Sequence, residues 1–147
     1  MKVFTFRAEL WLPHPLSEVF PFFAAAEHLE RLTPSFLNFH ILTPQPIVVA
    51  LGTRIQYKLR IHGIPVRWES EITGWNPPHF FSDDQIRGPY RHWHHEHTFA
   101  ERDGGTLVCD KVEYAVPGGA LINRLFVAPD LRRIFNHRTA TLKKLFP

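Results

Sequence analysis

The residues of this chain whose types and spacing suit chemistry lie around one histidine pair. His95 and His97 stand two apart, flanked at the same spacing by Trp93 and Phe99. Alternation along a strand places all four on one face, and the two large aromatics mark that face as the inner one. Imidazole titrates near neutrality, and a buried imidazole beside a carboxylate can take up a proton and return it. Asp83 and Asp110 sit on segments expected to neighbour the histidine strand, with side chains on the same inner side. His95, His97, Asp83 and Asp110 are therefore the candidate catalytic set, for proton transfer. Metal binding is the competing chemistry. It needs further ligands at tetrahedral reach, and the chain has no recognised zinc spacing, so no metal and no cofactor is expected.

Arg138 forms a second constellation with Asp83 and Asp110. Buried carboxylates need a cation or several donors, so this arginine either pins a helix to a sheet as a structural ion pair or binds a ligand. Phe20, Phe23, Trp68, Trp93 and Phe99 are the expected apolar wall of a cavity. Gln85, Tyr57 and Tyr114, with the histidines and Arg138, bring polar tips that would orient an oxygen-bearing apolar ligand. Tyr90, His92, His94, Glu96 and Thr98 have the opposite parity and are expected on the outer face. Cys109 shares parity with Leu107 and Lys111, away from the cavity, and has no histidine partner that would make it a nucleophile. No glycine-rich phosphate loop and no serine nucleophile motif is present.

These residues must be positioned by strands. Residues 3–12 alternate as an opening strand with the Phe4 side inward. Pro13-His14-Pro15 stops it. Leu16 to Ala26 has helical spacing, awkwardly interrupted by Pro21, and a second short helix follows over Glu27 to Leu32. Phe36 to Leu42 is expected as a strand. Ile55, Tyr57, Leu59 and Ile61 alternate with polar residues, His62-Gly63-Ile64-Pro65 turns, and Val66, Trp68, Ser70 and Ile72 return on the inner side. The outward charges of these two strands can pair across the hairpin. The arms Phe80–Arg87 and Tyr90–Phe99 hinge at Gly88-Pro89, and Asp103-Gly104-Gly105 leads into a last strand carrying Asp110. From Ala120 the chain is helical, with an interruption near Pro129, where the main helix is expected to start. Its stripe is Leu131, Ile134, Phe135, Leu142 and Leu145, and Arg138 lies on it.

The 147 residues, 44% hydrophobic and 21% charged, suit one folded domain over 1–147 with a sizeable core. Thirteen Phe favour a large apolar interior or pocket. A net charge of +3 without a basic cluster argues against nucleic acid. Arg132-Arg133 and Lys143-Lys144 fit the solvated face of a helix. A single cysteine permits no internal disulfide and agrees with a cytoplasmic protein. Arg7 and Glu9 interrupt any leader-like apolar run, and no stretch is long enough to span a membrane. The oligomeric expectation is a monomer or homodimer.

Ordered this way, the pieces resemble the SRPBCC superfamily, whose helix-grip fold is shared by START lipid-transfer domains, birch-pollen-type allergens and aromatic polyketide cyclase/dehydrases. The resemblance rests on Val19-Phe20-Pro21-Phe22-Phe23, Leu29 through Leu32-Thr33-Pro34, Gly52-Thr53 with Tyr57, and Gly63-Ile64-Pro65 with Trp68. It continues through Gln85 to Gly88-Pro89-Tyr90, Trp93-x-His95-x-His97-x-Phe99, Gly105-Thr106, Asp110-x-Val112-x-Tyr114, and Ile134-Phe135 with Arg138. It implies an α+β fold: a curved antiparallel sheet of about six or seven strands, two short helices and a long C-terminal helix enclosing a cavity. It is closest to the bacterial ligand-binding branch of the superfamily. Three functions follow as alternatives: binding of a small, largely apolar lipid-, isoprenoid- or polyketide-like ligand; a cyclase/dehydratase-type lyase using a cavity His–Asp pair; or an interaction domain with a filled cavity.

Overall fold

A computed structural model describes residues 1–147. Strand β1 (Phe4–Leu12) opens the chain. Helix α1 (Leu16–Ala24), a 3-10 turn (Ala26–His28), helix α2 (Leu29–Leu32) and a second 3-10 turn (Ser35–Leu37) follow. Strands β2 (His40–Ile41), β3 (Arg54–Ile61), β4 (Ile64–Asn76), β5 (Phe80–Arg87), β6 (His92–Arg102) and β7 (Gly105–Ala115) complete the sheet. The C-terminal helical run comprises α3 (Gly119–Ile122), a π-helical segment (Asn123–Val127) and α4 (Ala128–Leu145). All seven strands form one antiparallel sheet in the order β1-β7-β6-β5-β4-β3-β2.

The strands β1 and β2 are consecutive in sequence and lie at opposite edges of the sheet. Residues 13–39 must therefore cross its full width, and the short helices do so on the inner side. Leu16, Val19, Phe20 and Phe23 of α1 are buried there against Phe81, Phe99 and Val108. Alternation holds where it was expected. Each inner residue of β7 from Thr106 to Tyr114 is buried, and each residue between them is half exposed. The hairpin turns place His62 and Asp103 at φ of 49° and 50°, followed by Gly63 and Gly104 at 79° and 75°, the paired left-handed conformation that glycine tolerates at no steric cost. Across the β3–β4 hairpin, Arg54 Nε meets Glu71 at 3.0 Å and the Gln56 amide donates to Glu69 at 3.3 Å.

Two expectations are corrected and one is met. Phe36 to Leu42 is not a strand: Ser35–Leu37 coil into a 3-10 turn, Asn38 turns left-handed at φ 47°, and only His40–Ile41 pair with β3. The main helix starts where it was expected: α4 begins at Ala128 with Pro129 in its first turn, and the interruption before it is the π-helical segment. Tyr90 is not on the outer face. Gly88 to Arg91 lies outside the strands, so the parity of β6 does not extend to it, and the ring turns inward against Trp68 and Trp93.

The apolar interior is split. One buried cluster joins α1 to β5, β6 and β7, a second joins β7 to α4 through Val112, Leu131 and Phe135, and a third holds Leu37, Leu59 and Trp68. A cavity lies between them.

Candidate functional site

The cavity has a volume of about 520 Å³, and 24 of its 34 lining residues are hydrophobic. Its walls come from the inner faces of β3, β4 and β6, from α2, and from Leu131, Ile134 and Phe135 of α4. Polar groups occur in a few places only. One is the knot of Tyr57, Trp68 and Ser70, where Ser70 Oγ lies 2.8 Å from Tyr57 Oη and accepts the Trp68 indole N–H at 2.9 Å. Burial pushes the Tyr57 hydroxyl well above its usual range, so it stays neutral. At the mouth, the His62 ring lies 2.8 Å from Asp130 and against Phe126.

The other polar place is the histidine pair. Strand β6 runs between β5 and β7, so His95 and His97 are flanked by Asp83 on one side and Asp110 on the other. The bonds are diagonal. Asp83 stands opposite His95 in register but lies 2.9 Å from His97 Nε2, and Asp110 stands opposite His97 but lies 2.8 Å from His95 Nε2. His97 Nδ1 is 3.3 Å from Asp110, an ion-pair contact whose angle does not make a hydrogen bond. Arg138 reaches down from α4 to place Nη2 3.4 Å from Asp110. It forms no hydrogen bond, and its guanidinium lies over the rings of Phe23 and Phe135 at 5.2 and 5.7 Å. Phe81 stacks on the His97 ring at 4.1 Å.

Burial works against every charge here, and the contacts decide which survive. Burial would raise the Asp110 carboxyl, but the charge of Arg138, the bond to His95 and the contact with His97 hold it well below its usual value. Asp83 is likewise opposed by burial and lowered by its bond to His97 and the surrounding cations. For His97, contact with Asp110 and Asp83 outweighs burial, and its pKa rises. For His95, burial and the neighbouring His97 charge outweigh Asp110, and its pKa falls. The set that results is two carboxylates, one guanidinium, one imidazolium and one neutral imidazole, which balance in charge. A neutral His95 donating Nε2–H to Asp110 presents Nδ1 as an acceptor. That is the geometry of a general base with its orienting acid.

Donor atoms of Asp83, His95 and His97 lie within 4.8 Å of one another, a spacing that could also close on a cation. Arg138 and the His97 imidazolium already supply positive charge to both acids, so the carboxylate charges are matched without one.

Of the residues expected at the site, Phe23, Tyr57, Trp68, Asp83, Trp93, His95, His97 and Arg138 line the cavity. Asp110 stands behind the histidines. Phe20 and Phe99 do not line it: their rings pack edge to face at 5.1 Å in the core under α1. Tyr114 gives its hydroxyl to Asn123 at 2.7 Å, at the base of the C-terminal helical run. Gln85 is also corrected. Its amide donates to Tyr90 O at 2.8 Å and accepts from Tyr90 N at 3.0 Å, so it staples the β5–β6 connection and does not line the cavity. Ser70, Tyr90, Ile134 and Phe135 line the cavity without having been singled out. The inward parity of Ser70 and the helical stripe through Ile134 and Phe135 were the signals that could have found them. On the outer face, His94 is less exposed than expected, bonded to both Asp84 and Glu96. Cys109 is half-buried, and burial raises its thiol away from reactivity.

The model of the family described as polyketide cyclase / dehydrase and lipid transport matches residues 12–143. No curated protein matches the chain. Among solved structures, protein CV1439 from Chromobacterium violaceum is similar with a TM-score of 0.74 at 14% identity, covering 97% of this chain and 96% of that one. Protein Ms6760 from Mycobacterium smegmatis gives 0.71 at 18% identity, covering 96% and 89%. The major latex-like protein 151 from Panax ginseng gives 0.72 at 9% identity, covering 99% and 98%. At these identities the likeness is one of fold.

Proposed function

This chain belongs to the polyketide cyclase / dehydrase and lipid transport family, and on that footing we propose that it binds one small, largely apolar ligand between the sheet and α4. The observation that carries this reading is the cavity of about 520 Å³ with its predominantly apolar wall. That volume lies within the usual range of small-molecule sites, and a few polar groups set in an apolar wall are what such sites use to fix orientation. A lipid-, isoprenoid- or polyketide-like molecule fits this description. Residues 1–147 act as one ligand-binding domain, as monomer or homodimer, without metal or cofactor, without nucleic acid and in the cytoplasm. No helix is long and apolar enough to cross a membrane. Native mass spectrometry on gently purified protein, with a denatured control, tests the reading. A discrete non-covalent mass increment supports it. Bare protein that also fails to take up an apolar fluorophore such as anilinonaphthalene sulfonate overturns it.

One observation favours catalysis as a second reading. The His95–Asp110 pair, with neutral His95 lining the cavity, could move a proton in a cyclase/dehydratase-type reaction. A turnover rate whose pH dependence is unchanged when His95 and His97 are both replaced would exclude it.

A further inference from the structure

The polar end of the cavity is uneven in what it offers. His97 is used on both sides, by Asp83 and by Asp110. His95 is used on one side only: Nε2 is bonded to Asp110, while Nδ1 meets no protein group and is not sealed from the cavity it lines. With Nε2 committed as the donor to a carboxylate, Nδ1 carries a lone pair and no hydrogen. It is an acceptor without a donor at the end of an apolar chamber. Leaving such a group unpaired when a ligand displaces water costs affinity, and pairing it recovers that affinity. An anion is the wrong partner. Two carboxylates, Asp83 and Asp110, already occupy this end, and their charge is matched by Arg138 and His97.

We propose that the cavity selects an apolar ligand with a neutral hydroxyl, which donates its O–H to His95 Nδ1. Arg138, ion-paired but making no hydrogen bond, is the donor that a hydroxyl oxygen can accept from in turn. Neither an ether nor a carboxylate can do both at neutral pH. This inference rests on the apolar-ligand reading above and narrows it to one functional group.

Three matched probes separate the two: 2-naphthol, 2-methoxynaphthalene and 2-naphthoate, titrated into the full chain near neutral pH. Binding is followed by tryptophan fluorescence and by the imidazole nitrogen resonances of 15N-labelled protein. The expected result is that 2-naphthol binds about tenfold or more tightly than 2-methoxynaphthalene, consistent with one buried hydrogen bond gained. The His95 Nδ1 resonance should move with 2-naphthol and stay with the ether. His95→Leu should reduce 2-naphthol to the affinity of the ether. Because the comparison of probes needs no variant, a poorly folding His95→Leu leaves the test intact. Equal affinity for hydroxyl and ether, or tightest binding of 2-naphthoate, overturns the inference while leaving an apolar site standing. Failure of all three probes to bind overturns both.

Discussion

His95 and His97 lie ring on ring, centroids 3.7 Å apart and 24° from parallel. Two imidazolium ions cannot share that geometry cheaply, so a proton on one depresses the other. Both acids contact His97, whereas His95 is bonded only to Asp110, and the charge settles on His97. Replacing His97 with Gln should therefore raise the titration point of His95 toward the ordinary histidine value. Titration of the imidazole C–H signals by NMR checks this, and an unmoved or lowered His95 would contradict it.

Stability should depend on pH with a sign set by His97. Its pKa in the fold stands above the ordinary value of 6.5. The stabilisation it brings is complete below pH 6.5 and is lost as pH rises through the folded value. His97→Gln should remove this alkaline decline. Asp110 acts at the other end: its stabilisation is present above pH 3.8 and disappears as pH falls through its much lower folded value. Urea midpoints of wild type and variant across a pH series report both limbs.

Arg138→Met should destabilise the protein by about 3–5 kcal/mol, the usual cost of stranding one member of a buried ion pair. Adding Asp110→Asn should recover part of that loss, because the stranded charge is then gone. A double-mutant cycle of denaturation midpoints measures the coupling. Additive losses would mean that the 3.4 Å contact does not carry the energy assigned to it.

Core and cavity wall should respond differently to a change of size. Phe99 is 2% exposed and packed against Phe20, Phe23 and Phe81. Phe99→Ala should cost about 3–5 kcal/mol. Ile134 borders empty space, so Ile134→Trp should be tolerated within about 1–3 kcal/mol while abolishing binding of anilinonaphthalene sulfonate. Thermal melts and dye titration separate the two effects.

Gln85→Ala should free the β5–β6 connection. Two hydrogen bonds to the Tyr90 backbone disappear, at a cost of about 1–3 kcal/mol. Amide exchange over residues 88–91 should rise while β7 stays protected, which mass spectrometry of exchanged peptides resolves.

The architecture was legible because strands write their faces in alternation. Trp68, Trp93, His95, His97 and Asp110 could all be placed on the inner side from parity alone, and the β3–β4 hairpin was legible, although its turn is only His62-Gly63: Ile64 and Pro65, expected in the turn, pair with Ile61 and Arg60 as the start of β4. Depth along the sheet was not legible. Phe99 has the same parity as His97 and lies two residues on, yet α1 covers it and leaves the histidine in the cavity. The face is a local property, whereas the cover comes from a segment some 75 residues earlier, from Leu16 to Ala24. Gln85 and Tyr90 were misplaced for a related reason. Their roles are set by hydrogen bonds within an irregular connection, where no periodicity operates.

Strand β6 also acts as a proofreading element for assembly. Its two acids come from neighbours on opposite sides, Asp83 on β5 and Asp110 on β7. A shift of β6 by one residue against either neighbour would turn His94 and Glu96 inward and His95 and His97 outward. Glu96 would then meet two buried carboxylates, and the cation from α4 would face an excess of negative charge. The arrangement that forms the polar end of the cavity thus penalises the nearest wrong pairing of the sheet, so a chain that has folded with its site in place has also folded in register.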